Sequence, residues 1–453
     1  MHKYLQRRNR RERSSEENLD KMDYYRELFD LIEKQHKWRG SCINLIASEN
    51  VTSPAVREAI ISDFGHRYAE GLLGGRSNGL QLFDRFYQGT RYFDRVEAIA
   101  MKLAEDLFGA EHANVVPVSG AIANLTVYNA LTHYGDKISG LRVEAGGHIS
   151  HTHVSCAGVI GLKDVPYAFD EREMNIDVDR SREILLKEKP RIMMLGASVF
   201  LFPHPIRELK EVADEINARI VYDGAHVLGL IAGGRFQDPF REGADVFTTS
   251  THKTFPGPQG GMILCKNELA SKIDNSAFPG LTSNHHLHHV AGLAVALVEM
   301  QKFGREYADQ IIRNSKALAE AMYELGFSVL CEHKGFTESH QVLVDVSSIG
   351  GGDRVANDCE KANIILNKNL LPWDSLRDTG NPSGIRIGVP EVTHIGMKES
   401  EMKEIAEFLK RVAIEKEKPE RVKKDVIEFM KDYNKVHYCF ESELGAYENI
   451  RFK

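Results

Sequence analysis

A chain of 453 residues, 42% hydrophobic and 27% charged, has the make-up of a globular protein and is too long for one ordinary core. Its formal net charge of −7 excludes the basic footprint of a nucleic-acid or membrane-surface binder, and no apolar run approaches the ~18 residues of a membrane span. Six cysteines (Cys42, Cys156, Cys265, Cys331, Cys359, Cys439) lack CxxC spacing and are expected as reduced thiols of a cytoplasmic protein.

The basic first thirteen residues read as a flexible arm or a frayed helix start. Over residues 16–38, Met22, Tyr25, Leu28, Phe29, Leu31 and Ile32 recur at helical spacing. Beyond Arg91, helix-like runs (96–107, 122–131) alternate with strand-like runs (191–195, 219–222, 244–247, 262–265). Such alternation predicts βα units around a mostly parallel sheet, with ligands beyond the carboxyl ends of its strands. A helix over 288–325, interrupted near Gly304, is expected to leave that sheet. Runs at 341–346 and 385–388 then predict a smaller α+β segment, and the charged run 410–431 a surface helix.

Lys253 stands in Thr248-Thr-Ser-Thr-His-Lys-Thr, after a strand and before a glycine-proline turn. Asp223 closes another strand, Ile220-Val-Tyr-Asp223. A lysine and an aspartate at neighbouring strand ends are what pyridoxal phosphate chemistry requires. The amine forms a Schiff base, and the carboxylate keeps the pyridinium protonated as an electron sink. His226 is either a packed histidine or a group that orients Asp223. Ser119, Gly120 and Ala121 stand at a loop-to-helix junction, where free backbone N–H groups suit a phosphate. His148, behind Gly146 and Gly147, is either a stacking ring for the cofactor or a loop histidine bonded to backbone. The run His285-His-Leu-His-His289 invites a metal reading, but no carboxylate or cysteine cluster accompanies it, and no metal is expected. Arg386, mid-strand among apolar neighbours, calls for an anion: an amino-acid carboxylate or a structural partner.

Six motifs now stand in order: Leu45-Ile-Ala-Ser-Glu-Asn50, Tyr68-Ala-Glu-Gly71, Gly146-Gly-His148, Asp223-Gly-Ala-His226, Thr251-His-Lys-Thr254 and Gly384-Ile-Arg-Ile-Gly388. Together they make the chain resemble serine hydroxymethyltransferases over nearly its whole length. Ser283-Asn-His-His-Leu-His-His289 and Phe336-Thr-Glu-Ser-His-Gln341 are similar to the archaeal branch. The resemblance implies a fold-type I pyridoxal phosphate enzyme, α/β, with a large domain built on a mostly parallel seven-stranded-type sheet and a smaller C-terminal α+β domain. The expected division is an N-terminal arm and helix over 1–55, the large cofactor-binding domain over 56–310 and the small domain over 311–453.

The resemblance also implies roles. Lys253 carries the cofactor, with His252 beside it; Asp223 faces the pyridinium, and His148 stacks on the ring. Ser198 and His226 lie near the phenolic oxygen and the carboxylate partner. Arg386 and Ser48 hold the substrate carboxylate. Glu70 is the acid/base carboxylate, and Tyr68 and Tyr87 are lent by the neighbouring subunit of a homodimer. The expected reaction interconverts serine and glycine and passes one carbon to tetrahydrofolate or tetrahydromethanopterin.

Two departures bear on this. After Glu70 the chain carries about nine more residues than the family's usual short loop, spanning 72–86. The family's Thr-Arg-Gly after the arginine strand is Thr393-His-Ile-Gly396. The longer loop motivates a rival, a β-hydroxy-amino-acid aldolase or transaldolase acting on threonine or α-methylserine. A catalytically silent scaffold paralogue is the rival of another class.

Overall fold

The computed structural model of the chain describes residues 21–450; the basic arm and the first residues of the expected 16–38 helix lie outside them. Helix α1 (Lys21–Arg39) opens the described chain, and from Tyr24 to Ile32 its large apolar side chains are exposed. After Glu70, the expected loop is a β-hairpin, Gly71–Ser77 against Leu80–Arg85. Asn78 and Gly79 close it with positive φ at both positions (51° and 77°), the geometry that lets two residues reverse twisted strands. Arg76 pairs with Glu105, and Arg85 with Asp94 and Glu97, clamping the hairpin to helix α2 (Arg91–Phe108).

The central sheet has seven strands: β1 (His112–Asn114), β2 (Lys137–Gly140), β3 (Lys163–Pro166), β4 (Ile192–Leu195), β5 (Arg219–Asp223), β6 (Val246–Ser250) and β7 (Gly261–Cys265). Their order is β1-β7-β6-β5-β4-β2-β3, and only β7 runs against its neighbours. Strands β4, β6 and β7 are buried at every position, as a sheet covered on both faces requires. The expected 244–247 strand begins two residues later, so the hydroxyls of Thr248 and Thr249 lie inside the sheet. They are tolerated because Thr248 donates to Asn124 Oδ1 (2.6 Å) and Thr249 to the Ser250 carbonyl (2.8 Å). Helix α3 (Gly120–Leu131) starts where Ser119 caps it, Oγ accepting from Ile122 N–H at 3.2 Å.

Helix α4 (Leu287–Glu324) runs unbroken through Gly304, contrary to the expected interruption. The reason is close packing. A Cβ on Gly233 would stand 2.4 Å from the Gly304 carbonyl oxygen, so the two backbones touch, and this contact offsets the ~1 kcal/mol that a mid-helix glycine costs. A four-stranded antiparallel sheet follows: β8 (Ser328–Val329), β9 (Gln341–Asp345), β10 (Asn367–Asn369) and β11 (Gly384–Gly388), in the order β8-β9-β11-β10. The 410–431 run is two helices, the end of α5 (Glu399–Ala413) and α6 (Pro419–Phe429). Pro419 supplies no N–H and disfavours helical backbone before it, while Val422 and Val426 turn α6 inward. Among the described residues no helix is long and apolar enough to cross a membrane.

The Leu45–Asn50 motif is stapled to the small sheet. Leu45 N–H donates to the Ile365 carbonyl (2.7 Å), and its carbonyl accepts from Gly388 N–H (2.9 Å). That brings the motif to the end of β11 and across to the lysine.

Candidate active site

Four loops leave the carboxyl ends of parallel strands and converge. The loop after β2 carries His148 and His151, that after β4 Ser198, that after β5 His226, and that after β6 Lys253; Asp223 ends β5. Asp223 stands in register with Thr248, five residues before Lys253. Asn50 Nδ2 donates to the Lys253 carbonyl (2.7 Å) and to Tyr307 Oη (2.9 Å), fixing the lysine's backbone against α4.

Asp223 is buried, and its Oδ2 meets His151 Nε2 at 2.9 Å and Asn124 Nδ2 at 2.8 Å. Burial opposes its charge, yet the hydrogen bonds from His151 and Asn124 hold the carboxyl well below the usual carboxylate range. The histidine that meets Asp223 is therefore His151. His226 instead lies against His340, with near-parallel rings 5.6 Å apart, and 3.0 Å from Gln341 Nε2. His148 is bonded to Ser150 (Nδ1 to Oγ, 2.7 Å), and its ring centre lies 5.8 Å from that of His151. Burial, then His151, Lys253 and Arg386, push the His148 imidazole down to about 4 against the pull of Asp223, so it stays neutral at pH 7. The ligand atoms of His148, His151 and Asp223 come within 4.8 Å of one another, but Asp223 Oδ2 is already engaged by two donors.

Burial drives Lys253 from its ordinary 10.5 down to about 8, with Asp223 opposing and Arg386 adding to the fall. In the cofactor-free protein the unfolded chain keeps that proton to higher pH. Between about 8 and 10.5 the unfolded state binds more protons, so this group's contribution to stability rises with pH. Thermal unfolding of cofactor-free protein is expected to show that rise, and Lys253→Met to lack it. Parallel profiles for the two proteins would contradict the burial of the amine.

Three buried groups fit an anionic ligand. Arg386 is 9% exposed and donates only to neutral oxygens, the Ser198 carbonyl (Nη1, 2.7 Å) and Asn367 Oδ1 (3.3 Å). Among the described residues no carboxylate pairs with it, and burial lowers it to about 10. A guanidinium in that state suits a carboxylate, which it can hold bidentately. Ser250 Oγ and His252 Nδ1 are buried without a partner, and a Cβ on Gly120 would meet Ser250 N at 3.3 Å. The start of α3, with Ser119, Gly120 and Ala121, thus faces an orphaned hydroxyl, an arrangement suited to a phosphate. His252 is lowered to about 4 by burial and then by the Lys253 charge. Ser48 is half-buried on the motif that reaches Lys253.

The remaining predicted residues lie apart. Glu70, at the foot of the hairpin, accepts a hydrogen bond from Ser283 Oγ and raises the pKa of the Tyr87 phenol, whose ring is 5.2 Å from that of Tyr68. Tyr68 and Tyr87 are 54% and 42% exposed, and no contact joins these three to Lys253, Asp223 or Arg386. Glu70 lines a cavity of about 550 Å³ walled by the hairpin, Arg85, Glu97 and Asp274. In the histidine run, His285 turns to Glu97 (3.4 Å), whereas the rings of His286, His288 and His289 lie 4.4–5.8 Å apart, with His289 bonded to the Gln259 carbonyl (2.7 Å).

Sequence reasoning missed His151, Asn124, Ser250 and Gln341. Ser250 lies within the Thr248–Thr254 run and Gln341 closes the Phe336–Gln341 motif, while His151 and Asn124 lie three residues beyond His148 and Ala121. No spacing rule marks which residue of such a segment turns inward.

The comparisons agree with this architecture. The family model described as serine hydroxymethyltransferase matches residues 19–409. The serine hydroxymethyltransferase of Methanothermobacter marburgensis is 56% identical over 430 residues, covering 95% of this chain and 99% of that protein. That of Methanocaldococcus jannaschii is 56% identical over 427 residues, covering 93% and 97%. Among solved structures, L-threonine transaldolase from Pseudomonas fluorescens, in its internal aldimine state, superimposes with a TM-score of 0.84 at 28% identity, covering 97% and 96%. That likeness supports the fold-type I architecture, and its lower identity does not favour the aldolase rival. The chain belongs to the serine hydroxymethyltransferase family.

Proposed function

We propose that the chain interconverts serine and glycine, with pyridoxal phosphate on Lys253 and a reduced pterin as the one-carbon acceptor. The observation that carries this reading is Arg386, a buried guanidinium with no carboxylate of its own, in the electrostatic reach of Lys253. Pyridoxal phosphate, when bound, supplies the electron sink for the pair left as the Cα–Cβ bond of serine breaks. The protein's own groups do the rest. Arg386, with Ser48 nearby, binds the amino-acid carboxylate. Asp223, kept anionic by His151 and Asn124, pairs with a protonated ring nitrogen. Ser119, Gly120, Ala121 and Ser250 offer donors to the phosphate. His148 offers a flat neutral face for stacking, and Ser198 and His226 flank the ring. Glu70 handles the proton of the serine hydroxyl.

Glu70, Tyr68 and Tyr87 serve the lysine of a second copy in this reading. The exposed tyrosines and the apolar face of α1 (Tyr25, Leu28, Phe29, Leu31, Ile32) support a homodimer, since a patch of that kind marks a protein-protein surface. The free cysteines suit a reducing, cytoplasmic setting. The retained Lys253, Asp223 and Glu70 count against a silent scaffold.

Glycine release from serine, followed with tetrahydrofolate, with tetrahydromethanopterin and without pterin, tests the reading. A rate that rises at least about tenfold with one of the two pterins is expected. Threonine cleavage that outpaces serine and ignores pterin would favour the aldolase instead.

A further inference from the structure

Strand β9 begins with Gln341, a fully buried amide that reaches the loops after β4 and β5. Its Oε1 accepts Phe200 N–H at 2.8 Å, and its Nε2 donates to the Ser198 carbonyl at 3.0 Å. A backbone N–H only donates and a backbone carbonyl only accepts, so these two contacts fix which end of the amide is oxygen. The same Nε2 lies 3.0 Å from His226 Nδ1, closer than its 3.3 Å to His340 Nε2. A nitrogen that carries hydrogens, set that close to a ring nitrogen, requires a lone pair there. His226 Nδ1 must be unprotonated, and the neutral ring carries its proton on Nε2. His340 Nε2, 3.4 Å from the same Nδ1, is the weaker competitor. Burial first, then the charges of Lys253 and Arg386, keep His226 from becoming an imidazolium.

We propose that Gln341 is a positioning residue that locks His226 in its Nε2–H tautomer, so that the ring presents a hydrogen-bond donor to an oxygen of the bound cofactor. Arg386 Nη1 shares the Ser198 carbonyl with Gln341, tying that donor and the carboxylate clamp to one backbone group. The opposite tautomer would turn a lone pair towards an oxygen and repel it. The donor role rests on the pyridoxal phosphate reading above; the tautomer itself does not.

The test uses full-length protein with 15N-labelled histidine and long-range 1H–15N correlation spectra, with and without pyridoxal phosphate. The His226 signal is assigned by its loss in His226→Asn. Wild type is expected to show a pyrrole-type Nε2 and a pyridine-type Nδ1. Gln341→Glu, whose carboxylate can only accept, is expected to move the proton to Nδ1. Gln341→Leu, which keeps a buried side chain of similar size, is expected to give a mixture and serves as well should the charged variant fail to fold. A protonated Nδ1 in wild type, or an unchanged tautomer in the folded variants, overturns the lock. A second readout concerns the donor role. A donor facing the ring oxygen draws off electron density that otherwise holds a proton on the cofactor-linked lysine nitrogen. The pH midpoint of the bound cofactor's absorbance is therefore expected to rise by about one unit, a tenfold change, in Gln341→Leu. A shifted tautomer with an unmoved midpoint overturns the donor role and leaves the lock standing. Failure of the wild type to bind pyridoxal phosphate refutes the functional reading and, with it, the donor role.

Discussion

Lys253→Ala is expected to abolish the visible absorbance of lysine-bound pyridoxal phosphate and to lower serine turnover at least ~10³-fold, the scale of removing a covalent nucleophile. The fold should survive. Asn50 grips the Lys253 carbonyl, and Thr254 donates to the His226 carbonyl and accepts from Gly229 N–H, so neither anchor uses the lysine side chain. Lys253 is also the amine that senses both Asp223 and Arg386, and it is lowered to about 8, towards the range in which an amine attacks an aldehyde. Absorbance spectra of the purified variant and of wild type decide the matter. An unchanged lysine-linked band in Lys253→Ala would refute the assignment.

Arg386→Ala is expected to raise the serine concentration needed for half-saturation by about 30- to several-thousandfold. That range is the 2–5 kcal/mol typically lost when one partner of a buried charge pair is removed. Cofactor binding should persist, because the phosphate cradle at Ser119–Ala121 and the Asp223–His151 pair make no contact with the guanidinium. Arg386→Lys is expected to fall between, retaining the charge while losing the planar fork. Titrating serine into each protein and following the cofactor spectrum measures this. Wild-type affinity in Arg386→Ala would assign the carboxylate to another group.

Asp223 and Lys253 were legible because βα alternation sends strand ends to one edge of a sheet, and their strands are in fact neighbours. Arg386 was legible for a different reason. A strand arginine with apolar residues on both sides has nowhere to send its charge but inward. The partner of Asp223 was not legible, because the contact to His151 spans 72 residues and depends on how the loop after β2 folds back. The hairpin after Glu70 did carry a signal in Asn78-Gly79, but the irregular register between Leu73 and Arg76 breaks the alternation that would have announced its strands. Pro419 likewise marked the break in the charged helical run, and the charge pattern drew attention away from it. Gly304 misled in the other direction: its neighbour Gly233 is distant in sequence, so close packing reads there as a break. No local pattern tells whether Glu70 serves its own lysine or another copy's. The two clusters separate only once the chain is folded.

That separation makes a mixed dimer the most direct measurement. Lys253→Ala and Glu70→Gln, carried on differently tagged chains, are co-expressed, and the doubly tagged dimer is purified and assayed for pterin-dependent serine cleavage. If each site takes Lys253 from one copy and Glu70 from the other, one of the two sites is intact, and about half of wild-type activity per dimer is predicted. Activity no higher than that of the two single-variant proteins would contradict a site shared between copies.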